Sequence, residues 1–132
     1  MEVLNVLAAA TGSFAFGAIW YTVLAKPWMA ASGVEVNPDT GQPANASDPI
    51  PYVTSFVCCI LVAGMMRHVF TLSNIDTIGE GLVSGFGVGL FLVSPWIATF
   101  YGFGGRPRQL TLIDCGYATG GCTIIGAILT LF

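Results

Sequence analysis

Charged residues are nearly missing from this sequence. Asp, Glu, Lys and Arg make up 8% of its 132 residues, where a soluble domain carries roughly a quarter. So little charge cannot keep a surface wet, and most of this surface is expected to face lipid. The four basic residues form no cluster and the net charge is −3. Nucleic acid is therefore not an expected partner, and neither is a polybasic contact with anionic membrane surfaces. Histidine occurs once, as His68. The four cysteines, Cys58, Cys59, Cys115 and Cys122, match no zinc or redox spacing and read as small apolar fillers. No basic segment precedes the first apolar run, which outlasts a signal-peptide core of about 7–15 residues. That run is expected to be a permanent span.

Apolar length takes the place of charge. Hydrophobic residues make up 55% of the chain, with a mean hydropathy of +0.79. A helix needs about 20 apolar residues to cross the hydrocarbon core. Four runs meet or approach that length: 3–24, 52–70, 78–101 and 110–132. None alternates as a barrel strand would. The expected fold is all-α: a single membrane domain over 1–132, with four transmembrane helices in a compact bundle and a polar loop over 25–51. Arg67 and His68 interrupt the second run near its end, where long basic side chains can snorkel to the headgroups.

The loop opens "KPWMAASG". Pro27 suits the first turn of a short helix, Gly33 its end, and Trp28 would lay it along the interface. The rest, "VEVNPDTGQPANASDPIP", is turn chemistry, and its Asn45-Ala46-Ser47 fits a glycosylation pattern that matters only on a lumenal face. The connections near "SNIDT" and "GFGGRPRQ" are short, so consecutive helices should be antiparallel neighbours. Ser94-Pro95 predicts a kink in the third span, because proline removes a backbone hydrogen bond. Lys26, Arg106 and Arg108 fall on one side and Arg67 on the other, which favours a cytoplasmic long loop and non-cytoplasmic termini.

Helices in lipid gain nothing from hydrophobic transfer, so close packing of small residues must hold them. Gly81, Gly85 and Gly89 recur at four-residue spacing in the third span, as do Ala9, Ser13 and Gly17 in the first. In the fourth, Gly116 and Gly120 form one pair and Ala118, Cys122 and Gly126 another stripe. The two stripes point about 200° apart, so this helix can contact neighbours on two sides. Each stripe serves packing within the chain, or one of them remains for a partner.

The topology gathers Trp20, Tyr21, Lys26, Trp28, Tyr52, Trp96, Tyr101, Arg106, Arg108, Asp114 and Tyr117 at one membrane face. The opposite face holds Glu2, Arg67, His68, Asp76 and Glu80. Asp114 is the outlier. If its helix begins near Arg108, the carboxylate lies about 9 Å further in. There it costs a few kcal/mol unless paired or protonated. Its expected partner is Lys26, Arg106 or Arg108 folding inward, or the Trp20 N–H or the Tyr21 hydroxyl, with Asp114 acting as a structural pin.

The segments "FGAIWYTVL", "KPWM" and "GRPRQLTLIDCGY" resemble the hallmarks of domain-of-unknown-function family 1761. Its members are small, mostly bacterial membrane proteins of about this length. The resemblance runs nearly end to end and implies four helices in the bacterial inner membrane, with no assigned activity. Its motif positions here are Gly17, Trp20, Tyr21, Lys26, Pro27, Trp28, Arg106, Pro107, Asp114, Gly116 and Tyr117. The insertion before the second span is longer than the family pattern.

His68 lies at the opposite face from Asp114, so no nucleophile–His–Asp constellation can assemble, and no metal or other cofactor is implied. The first functional expectation is a structural or interaction role without enzymatic activity. The chain would act as a homo-oligomer or as an accessory subunit, its partners being membrane lipids and itself or other membrane subunits. Leftover glycine stripes and the aromatic face motivate it. A small oligomeric transporter or channel is the alternative, although the middle of the membrane offers only serines and threonines. A lipid-modifying enzyme using Asp114 with Arg106 or Arg108 ranks last.

Overall fold

The computed structural model describes residues 1–132. The four apolar runs become α1 (Glu2–Val23), α3 (Ile50–Leu72), a composite third span and α6 (Arg108–Leu129), each long and apolar enough to cross a membrane. The third span comprises α4 (Ile78–Gly87), a π-helical turn (Val88–Val93) and α5 (Ser94–Phe103). The short α2 (Ala25–Ser32) follows α1 at once and ends at Gly33, whose φ of 70° is the left-handed conformation that glycine adopts without strain. Residues 33–49 form turns around one isolated bridge, Val36 to Pro43.

Only 21 of the 132 residues are buried, and large apolar side chains such as Phe91, Phe100 and Leu112 point outward. Such a surface is at home in hydrocarbon, where helices satisfy their own backbone. The chain is a polytopic membrane protein.

Helices α1, α3 and α6 enclose the core, in which Ala9, Ala10 and Ala63 meet Met66, Phe70, Ile125 and Leu129. The third span lies on the other flank of α6 and makes no substantial contact with α1 or α3. Its seam with α6 is glycine throughout. A Cβ at Gly81 or Gly85 would strike the carbonyl of Gly126 or Cys122, and one at Gly89 would strike the Thr119 backbone. The stripe therefore packs within the chain, and none of it remains for a partner. Gly116 and Gly120 face α1 instead, where they admit the rings of Trp20 and Phe16.

The break expected at Ser94-Pro95 takes the form of the π turn. In a regular α-helix Ser94, five residues beyond Gly89, would point about 140° away from the seam. The π turn absorbs one extra residue and brings Ser94 back to α6. Its hydroxyl donates to the Gly89 carbonyl (2.7 Å) and lies 3.4 Å from the Cys115 carbonyl and from the Thr119 hydroxyl.

Both short connections close with the same motif. The N–H of Ile75 donates to the Phe70 carbonyl (3.0 Å) past Asn74 at φ 54°, and the N–H of Arg106 to the Tyr101 carbonyl (2.9 Å) past Gly105 at φ 65°. Helix α4 then opens with a capping box between Thr77 and Glu80.

Candidate functional site

The site is built from three helix ends. In α1, Tyr21 continues the four-residue register of Asn5, Ala9, Ser13 and Gly17, all buried, so its ring turns into the bundle. The α5–α6 turn fixes Tyr101 and Arg106 through the hydrogen bond between their backbones. Asp114 lies in the second turn of α6, between them.

Both carboxylate oxygens of Asp114 accept a phenol. The Tyr21 hydroxyl donates to Oδ1 (2.5 Å) and the Tyr101 hydroxyl to Oδ2 (2.6 Å). Of the expected partners, Tyr21 is found. The Trp20 N–H donates instead to the Ile113 carbonyl (2.9 Å). Arg106 donates to the Ser32 carbonyl (2.7 Å) and lies 5.9 Å from the centre of the Tyr101 ring. Lys26 and Arg108 are exposed, and the chain's one ion pair joins Glu2 and Arg67. Asp114 is thus pinned by two neutral donors rather than by a charge pair. The physical reason is desolvation: phenols satisfy the lone pairs without a second charge leaving water.

Aromatic rings pack around this pin. Tyr21 meets Trp28 and Tyr117 edge-on, at 6.0 and 5.4 Å between ring centres, and Phe16 stacks on Tyr117 at 6.1 Å. The Tyr117 hydroxyl reaches the Cys59 sulfur at 3.6 Å, and its ring occupies the space that Gly17 leaves. Arg106, by capping the last turn of α2, ties that helix to the turn between α5 and α6.

With this geometry in place, comparison with known families matches residues 4–130 to the family described as "Protein of unknown function (DUF1761)". The chain belongs to that family. No curated protein and no solved structure matches it.

The other end of this DUF1761 bundle carries a second polar cluster. The Asn5 side-chain amide donates to the carbonyls of Phe132 (3.0 Å), Leu129 (3.3 Å) and Ile128 (3.5 Å), and the Arg67 guanidinium to Leu129 (3.3 Å). Together they supply donors to carbonyls at and just beyond the end of α6. Arg67 also pairs with Glu2 at 3.8 Å. Nowhere in the DUF1761 chain do three His, Cys, Asp or Glu side chains converge.

The sequence places Tyr101 on the aromatic face without marking it as the partner of Asp114, marks Ser94 only as part of the expected break, and does not single out Asn5. Asn5 does carry a signal: a carboxamide on the small-residue face of a span needs an internal partner. Thr77-x-x-Glu80 carries one too, the spacing of a capping box.

Proposed function

We propose that the protein is a non-enzymatic structural or interaction component of its membrane, acting as a homo-oligomer or as an accessory subunit of a larger membrane complex. One observation carries this reading: the polar side chains inside the bundle make hydrogen bonds that hold helices together, and only Asn5 Oδ1 and Arg67 Nε among their buried atoms are left without a partner. Asp114 is taken by two phenols, the Trp20 N–H by Ile113, Arg106 by Ser32, and Asn5 and Arg67 by the end of α6. A catalytic site needs a reactive group free to meet substrate. A path through one chain would have to cross the packed layer of Ala9, Ala10, Ala63 and Ile125 between the two polar ends. Three basic residues against one support a cytoplasmic α2 end in a bacterial inner membrane.

Native mass spectrometry of protein gently extracted from its own membrane tests the reading. A mass at a multiple of 13.8 kDa supports self-assembly, and co-purified larger membrane proteins support the accessory role. A lone monomer under conditions that keep other complexes intact would remove both.

A further inference from the structure

An open groove runs along α6 between α1 and the third span. Its floor includes Gly116, Thr119 and Gly120, and its walls are Phe16 on one side and Phe86 and Leu90 on the other. Its volume of about 580 Å³ lies in the range of small-molecule sites. From Leu112 to Ile124, the ends of the floor, twelve helical residues span about 18 Å, slightly more than one leaflet of a hydrocarbon core about 30 Å thick. The lining is almost wholly apolar. These dimensions fit one extended acyl chain lying along the membrane normal.

The mouth of the groove adds charge. Arg108 lies one turn before Leu112 on the same side of α6, is exposed and enters no ion pair. It is also the first residue of a helix whose N-cap is Pro107, with no side-chain cap and no acidic residue in the first turn. The backbone N–H groups of Arg108 and Gln109 have no protein acceptor, whereas Leu110 and Thr111 donate back to Pro107. A guanidinium beside two free N–H groups at the positive end of a 22-residue helix is complementary to a phosphate. The start of α4, by contrast, is closed by its own Thr77 and Glu80.

We propose that this groove is a binding site for one anionic glycerophospholipid, with an acyl chain lying over Cys115, Thr119 and Thr123 and the phosphate at Arg108 and the N-terminus of α6. The site differs from surface recruitment by a basic patch: one cation and one helix end select the headgroup, and the apolar slot holds the tail. It stands whether the chain works alone or in an assembly.

The full-length protein in mild detergent, equilibrated with equal amounts of phosphatidylglycerol and phosphatidylcholine, is read by native mass spectrometry. One retained phosphatidylglycerol per chain is expected. Arg108→Gln should reduce the preference for phosphatidylglycerol about fivefold without changing the melting temperature. Leu90→Trp, which narrows the slot from its exposed wall, should lower retention of both lipids while thermal unfolding stays cooperative. Equal retention of the two lipids by the unaltered protein, or retention unaffected by both substitutions, overturns the proposal. So does a dimer that survives delipidation and is lost in Leu90→Trp, because the groove then holds a second copy.

Discussion

Asp114 is an acidic side chain in a membrane helix, and hydroxyls answer both of its oxygens. Removing one of these hydrogen bonds leaves a polar group short of a partner, which costs about 1–3 kcal/mol. Tyr21→Phe and Tyr101→Phe are each expected to lower stability by about that amount in thermal unfolding in detergent. The double variant should lose more than the sum, since the first phenol removed leaves the second as the carboxylate's only phenolic donor. Asp114→Asn keeps the shape but offers one carbonyl to two phenols, and a drop of similar size is expected. A double variant that is merely additive would show that the two phenols act independently. That Asp114 needs a partner follows from its place in an apolar run. That the partner is Tyr101 does not: it depends on the turn at Gly105 and on where the π turn resets the face of α5.

At the scale of helices, the third span and α6 meet backbone to backbone along glycine. Gly85→Leu would drive a side chain into the Cys122 carbonyl, while the same change at Gly87 meets nothing within 4 Å. Overpacking of this kind costs about 1–3 kcal/mol or more, so Gly85→Leu should lower the melting temperature and Gly87→Leu should leave it nearly unchanged. Equal effects would show that the seam is looser than its geometry. The π turn has its own test. Deleting Leu92 puts Ser94 four residues after Gly89, so with Pro95→Ala to relieve the proline ring the span can run as one α-helix with both halves still facing α6. Expression and melting temperature should survive. Deleting Val83 instead turns Gly81 about 100° away from the rest of the seam, and stability should be lost. Much at this scale is legible in the residues: span lengths, the end of α2 at Gly33, a break at Ser94-Pro95, and two separate faces on α6. The boundaries shift a little, to Ile50–Leu72 and Ile78–Phe103, because Pro51 fits the first turn of a helix and does not stop it. Which stripe meets which helix is not legible, since spacing reports that a face is small and not what lies opposite.

For the whole molecule, α6 is the one element that touches every other helix. The short α2, the phenol pin, the glycine seam and the Asn5 cap all converge on it. The polar groups at its two ends are separated by packed alanine and isoleucine, with hydroxyls such as Ser94 and Thr119 between them. The order of synthesis follows from this. α6 leaves the ribosome after the third span, yet it is that span's sole substantial partner. During translation α1 and α3 can pair as soon as both are inserted, while the third span waits in lipid, unattached, until the 22 residues of α6 arrive, a matter of seconds at about 5–20 residues per second. A chain truncated after Gly105 should therefore insert three spans but hold only two together. Cysteines introduced across α1 and α3 should cross-link in it, whereas the third span should stay accessible to membrane proteases and disappear fastest in a pulse-chase. The helix made after the other three spans is the one that joins them.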